Sequence, residues 1–259
     1  MDLRKPVANL RFAARAQVKG ACARLGVDVS RIRSASQIRP VGDMRSFLED
    51  VAKRHLVVTD ALDVGANRGE WARLVTEVFP GCRVAMIEPQ VEMSRYLESF
   101  CRSHEGSEWI CAGAGAALGT SPLTIWDDLA GSSFLPPLGS VGEKREQRSV
   151  RMVTIDALVE SDAIRVPQIV KIDVQGFELE TLRGATSLFG LTELFIIETS
   201  LVRPLGQPLI DEVVAVMRSH GYRVYDLAGF MRRPYDGALG QVDVCFARDG
   251  GSLCQSDSW

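Results

Sequence analysis

The chain has 259 residues, 46% apolar and 24% charged, with a formal net charge of -3. That balance suits a soluble globular protein with a sizeable core and excludes a collagen, a disulfide scaffold and a disordered tail. It also speaks against a nucleic-acid partner. No run approaches the roughly 18 apolar residues of a membrane-spanning helix, and the N-terminus lacks the apolar core of a signal peptide. Six cysteines are scattered without metal-binding spacing, which points to reduced thiols and a cytoplasmic protein.

The charge is unevenly spread. Residues 1–45 carry ten basic and three acidic side chains. Leu3, Val7, Leu10, Ala14 and Val18 recur there at helical spacing, so the segment reads as an amphipathic arm with a basic face. Such an arm can rest on an anionic membrane surface, here the inner face of the membrane, or clamp an acidic substrate. The plainer alternative is a helix that caps the main domain, residues 46–259, or joins two copies.

Strands and helices then alternate. Buried strands are expected over 55–64, Val84–Glu88, Trp109–Ala112, Ile169–Val174 and Leu194–Thr199. Helices are expected at Glu70–Val78, Val91–Phe100, Asp156–Ser161, Phe177–Phe189 and Leu209–His220. A hairpin, Leu123–Trp126 with Val150–Ile155, interrupts the alternation, and Tyr222–Asp226 and Val242–Ala247 close it. Continuous apolar strands between helices predict a mostly parallel sheet covered on both faces, with ligands at the carboxyl ends of its strands.

The strongest signal is the turn Asp63-Val64-Gly65-Ala66-Asn67-Arg68-Gly69. Gly65 allows close backbone approach, and the following helix N-terminus offers free N–H groups. A pyrophosphate fingerprint would have glycine where Asn67 stands. Asp63 would repel a diphosphate but suits a ligand with a positive end, such as S-adenosylmethionine. Glu88, at the end of the next strand, can accept both ribose hydroxyls of an adenosyl group. Without a ligand, the same residues are a βαβ turn and a solvated strand end.

These blocks resemble the FkbM-type methyltransferases. The resemblance covers roughly residues 55–247. It rests on DVGANRGEW (63–71), IEP (87–89), GSSF (131–134), VTIDAL (153–158), VKIDVQGFELETLRGA (170–185) and IIE (196–198). It implies an α/β, class I Rossmann-like fold: a seven-stranded mostly parallel sheet with helices on both faces and a reversed last hairpin. It implies S-adenosylmethionine as cofactor and methyl transfer to an oxygen. Asp63, Gly65, Ala66, Asn67, Gly69, Glu88 and Pro89 would then line the cofactor site. Gln175 and Phe177 depart from the family, which often has Glu and Ala there.

Lys171, Asp173, Glu178 and Glu198 gather at adjacent strand ends and are the candidates for catalysis. Asp173 is the first choice for the proton acceptor. Asp173 and Glu198 could also hold Mg²⁺. Ion pairing for Lys171 and helix-end charge compensation for Glu178 are the structural alternatives. His55, His104 and His220 fall outside every family motif and read as surface or helix-end residues. Ser132 and Ser133 are candidate substrate contacts, or part of a plain connection between hairpin strands; Trp71, Trp109 and Trp126 are expected in the core, with Trp126 stacking on a sugar ring as the alternative. The expected activity is O-methylation of a small-molecule or lipid-linked sugar acceptor: a glycan, a glycolipid or a polyketide-like hydroxyl. A nicotinamide-dependent oxidoreductase and a non-catalytic cofactor-binding protein are the alternatives.

Overall fold

The structure, a computed structural model, describes residues 39–135, 146–203 and 206–256. The basic arm up to residue 38 and the loop tip 136–145 lie outside the described residues. The unit described here begins at Pro40.

Five parallel strands form the centre of a seven-stranded sheet. They are β1 (Asp60–Val64), β2 (Arg83–Ile87), β3 (Glu108–Ile110), β7 (Ile169–Ile172) and β8 (Leu194–Ser200). The hairpin β9 (Tyr222–Arg232) and β10 (Leu239–Arg248) completes it, with β10 antiparallel to β8. The order is β3-β2-β1-β7-β8-β10-β9, so the chain reverses direction across the sheet between β1 and β7. Strands β4 (Gly113–Ala114), β5 (Gly119–Thr124) and β6 (Gln147–Val153) make a second sheet, order β4-β6-β5. The expected hairpin is present as β5 and β6; the short parallel strand β4 was not anticipated.

Period-two alternation splits the core into two. Ala61, Val84, Met86, Ile169, Ile196 and Cys245 face α1 (Met44–Lys53), α2 (Glu70–Val78) and α3 (Ser94–Ser103). Leu62, Ile87, Val170, Phe195, Ile197 and Phe246 face α4 (Ile155–Glu160), α5 (Glu178–Arg183) and α6 (Ile210–Ser219). Both faces of the sheet are therefore covered, as the near-continuous apolar strands require.

Three local differences from the sequence reading have physical causes. Helix α1 was missed because only Phe47, Leu48 and Val51 are buried in an otherwise charged stretch. Its start is fixed by Asp43, whose carboxylate accepts the Ser46 N–H at 2.7 Å. The helix expected over 177–189 stops at Arg183, and a separate 3-10 turn spans Thr186–Leu188. Strand β9 runs well past Asp226, because Gly229 is not a terminator there. It lies opposite Asp243 with a register shift, where a Cβ would sit 2.0 Å from the Asp243 carboxylate.

Gly184 marks the break after α5. Its carbonyl accepts the Asp156 N–H at 2.8 Å, and a Cβ on it would lie 2.0 Å from the Gly115 carbonyl oxygen. The contact is with backbone, so relief requires moving the chain next to β4. Gly184→Ala is expected to lower stability by about 1–3 kcal/mol in urea unfolding, the usual cost of overpacking. An unchanged midpoint would show that this approach is not tight.

Candidate active site

The reversal between β1 and β7 opens a cleft of about 600 Å³ at the carboxyl ends of the central strands, within the range of small-molecule sites. Its walls come from the turn after β1, the end of β2, the turn after β7 and the loop after β5.

The turn after β1 is drawn tight against its neighbours. The N–H groups of Gly65 and Ala66 both donate to the Ile87 carbonyl, at 2.9 and 3.2 Å. Gly65 has φ +81, and a Cβ there would come within 1.8 Å of the Asp173 carbonyl oxygen, so only glycine fits between the two strand ends. Asn67 also has positive φ, +47. Asparagine tolerates that conformation better than most side chains, and it turns the Asn67 N–H onto Glu88 Oε2 at 2.9 Å. Glu88 is buried, and its other oxygen accepts the Gln90 N–H at 2.9 Å. Burial raises its pKa and these donors oppose the rise.

Asp63 is 1% exposed, and its Oδ2 has no hydrogen-bond partner. Burial raises its pKa to about 7, against the pull of Lys171. A buried acid with an open oxygen on a cleft wall suits a cationic ligand group.

Across the cleft lies a band of ionisable groups. Asp63 is in register with Lys171, and Glu198 with Asp243. All four project to the face of the sheet covered by α1, α2 and α3. Lys171 Nζ donates to Asp173 Oδ2 at 2.6 Å. Burial by itself would lower the Lys171 pKa, but Asp173, Asp63 and Asp243 outweigh it and hold the ammonium charged. Burial would likewise raise Asp173, yet Lys171 and the Gln175 amide keep it below the usual carboxylate range. Gln175 Nε2 donates to Asp173 Oδ1 at 2.9 Å and to Glu198 Oε2 at 2.8 Å, and Gln241 Nε2 reaches the same Glu198 oxygen at 2.7 Å. Burial and the adjacent Asp173 charge push Glu198 up to about 9, against the Lys171 charge.

The loop after β5 is tied to both halves of the cleft. Ser132 Oγ donates to Gln90 Oε1 at 3.2 Å, and Gln90 Nε2 donates to the Leu129 carbonyl at 3.0 Å. Ser133 Oγ donates to the Gln175 carbonyl at 2.6 Å. Phe134 covers Gly113 and meets Phe177 at 5.2 Å between ring centroids. Phe177 packs in the small core of the second sheet.

The sequence candidates separate accordingly. Asp63, Gly65, Ala66, Asn67, Glu88, Pro89, Ser132, Lys171 and Asp173 line the cleft. Gly69, at φ +73, begins α2 beneath it. Ser133 is buried and braces the turn after β7. Glu178 is buried with Oε1 accepting the Gly176 N–H at 2.9 Å, so it holds that turn rather than facing the cleft. Glu198 reaches the cleft only through Gln175. His104 stacks on Phe100 and His220 on Phe189, each just after a helix end. Sequence reasoning missed Gln90, Gln241 and Asp243. The last two carried a signal, since Gln241-Val242-Asp243-Val244 places polar residues inside an apolar strand. Asp173 and Glu198 do not make a Mg²⁺ site, because an ammonium and two amides already occupy the positions a cation would take. No group of three or more metal-ligating side chains occurs among the described residues.

The Methyltransferase FkbM domain matches residues 63–224, more than half of the chain. The chain belongs to the FkbM methyltransferase family. The family's methyl donor is S-adenosylmethionine, and the nicotinamide-dependent reading is set aside. Solved structures similar to this one include methyltransferase FkbM from Methylobacillus flagellatus KT, at 16% identity and TM-score 0.46 over 83% of this chain and 46% of that one. The chain thus spans less than half the length of that relative. Precorrin-6y C5,15-methyltransferase from Geobacter metallireducens matches at 13% identity and TM-score 0.43, over 79% of this chain and 87% of that one. The 1,6-didemethyltoxoflavin-N1-methyltransferase of Burkholderia thailandensis, solved with S-adenosylhomocysteine, matches at 11% identity and TM-score 0.43, over 96% and 92%. No curated protein matches the chain. Among the described residues no helix is long and apolar enough to cross a membrane.

The raised acids make the stability of this protein pH-dependent. Burial lifts Glu178 to about 7. The folded state then holds its proton more tightly than the unfolded chain, so this stabilisation is full below the unfolded value and is lost as pH rises through about 7. Glu178→Gln stays neutral throughout. Relative to the unmodified protein, it is expected to gain up to about 3 kcal/mol in urea unfolding between pH 4 and pH 8. A constant difference across that range would place Glu178 in a solvated site.

Proposed function

We propose that this chain is an O-methyltransferase acting on a hydroxyl of a glycan, glycolipid or polyketide-like acceptor. The observation that carries the reading is the Asp173 carboxylate on the cleft wall, held by the Lys171 ammonium at 2.6 Å and the Gln175 amide at 2.9 Å. Alkylating a hydroxyl requires a place for its proton, and a fixed anion provides it.

S-adenosylmethionine supplies a methyl group on positively charged sulfur. Glu88 would receive the ribose hydroxyls on the lone pairs left by Asn67 and Gln90. Pro89 and Ala112 offer apolar walls for the adenine, and Asp63 an anion for the ammonium. Asp173 would orient the acceptor hydroxyl and take its proton on a carboxylate oxygen as that oxygen bonds the methyl carbon and the methyl–sulfur bond breaks, which leaves neutral S-adenosylhomocysteine. Lys171 and Gln175 keep that carboxylate fixed and ionised beforehand, which is where positioning lowers the barrier. Gln175 replaces a third acid with an amide that donates to both carboxylates. Its engagement there favours an active enzyme over a cofactor-binding relic. Asp128 and Ser132 on the loop wall suit a polyhydroxylated acceptor.

Asp173→Asn is the decisive variant. Against an acceptor panel it is expected to lose about 10²–10⁴-fold in kcat while still binding S-adenosylhomocysteine. Full kcat in that variant would remove Asp173 from the proton's path.

The ten basic side chains of residues 1–45 favour a lipid-linked acceptor at an anionic surface. The full chain is expected to sediment with anionic vesicles and a chain starting at Pro40 to remain in solution. Equal binding by both forms would discard the membrane contact.

A further inference from the structure

Among the described residues, two buried side-chain polar atoms lack a hydrogen-bond partner: Asp63 Oδ2 and Trp71 Nε1. Both residues line the same cleft, and they are 1% and 7% exposed. A buried group without a partner is costly, and native proteins keep few of them. Two such atoms of opposite type on one cleft wall indicate partners that arrive with a ligand. An ionised carboxylate only accepts, and an indole N–H only donates. A ligand end that offers a donor to Asp63 and an acceptor to Trp71 would satisfy both.

An α-amino acid group has that pattern. Trp71 is the second residue of α2, a helix of nine residues whose N-cap, Gly69, brings no side-chain cap. The free N–H groups of that helix end favour an anion, and one of them, on Ala72, already bonds the Asp63 carboxylate. Asp63 at the end of β1 supplies the opposite charge.

We infer that the Trp71 indole N–H binds the carboxylate of the cofactor's amino-acid end while Asp63 takes its ammonium. This rests on the S-adenosylmethionine reading above. Trp71 is then a cofactor-binding residue, where the sequence placed it in the core. It gives the site a preference for adenosyl ligands that keep the amino-acid group.

The test compares calorimetric binding of S-adenosylhomocysteine and of 5′-methylthioadenosine, which lacks the amino-acid end. Trp71→Phe keeps most of the buried ring area and removes the donor. It is expected to weaken S-adenosylhomocysteine about tenfold or more and to leave 5′-methylthioadenosine almost unchanged. Asp63→Asn should show the same selective loss. In the unmodified protein, one tryptophan indole N–H resonance should move downfield with S-adenosylhomocysteine and stay in place with 5′-methylthioadenosine. That measurement serves even if a variant folds poorly.

Equal affinities in Trp71→Phe and the unmodified protein would overturn the inference and leave the cofactor reading standing; the indole would then bond a buried water. Parallel loss of both ligands would overturn it as well, by making Trp71 a packing residue. If the unmodified protein bound neither adenosyl ligand, the cofactor reading would fall and this inference with it.

Discussion

One buried ammonium, on Lys171, sets the electrostatics of the site. It lies among Asp63, Asp173 and Asp243, with Glu198 beyond the Gln175 amide. Uncompensated carboxylates this close would repel one another and pay a desolvation cost, and the result would be protonation of most of them. The Lys171 charge instead sorts them. Asp173, in direct contact with it, is held below the usual carboxylate range; Glu198, farther away and facing Asp173, is pushed above it. Two carboxylates in one cluster thereby acquire different chemistry, which acid–base work at neutral pH requires.

The backbone provides the frame for that cluster. Gly65 and Asp173 touch at the reversal of strand order, so the cofactor turn and the proposed base share a wall of the cleft. The second sheet extends that wall. Its loop is joined to Glu88 through Ser132 and Gln90, and to the turn after β7 through Ser133. A short hydrogen-bond chain thus joins Glu88 at the end of β2 to the loop after β5.

The turn after β7 shows how side chains fix a strained segment. Gln175 and Gly176 both have positive φ, +50 and +99. For glutamine that conformation is uncommon, and it persists because three contacts hold it. The Gln175 amide joins two carboxylates, its carbonyl accepts from Ser133, and Glu178 accepts the Gly176 N–H. The family resemblance marked this turn as distinctive; its hydrogen bonds show why an amide can stand where an acid is frequent.

The sequence alone determined the strand–helix alternation, the glycine turn at 65–69 and the acids at 63 and 88, because each is a local pattern of period, turn chemistry or charge at a strand end. The family followed from the order of those blocks. Residues whose role depends on partners distant in sequence were not legible. Asp243 and Gln241 reach Glu198 only because β10 pairs antiparallel with β8. Trp71 reads as an apolar residue on a helix until the absence of a partner for its N–H becomes visible. Glu178 and Ser133 look chemical in one dimension, and only the structure shows the hydrogen bonds that each makes to the turn after β7. Register and burial decide which face of the sheet a side chain occupies and what remains to bond with it. Those are properties of strands assembled across the chain from Asp60 in β1 to Arg248 in β10.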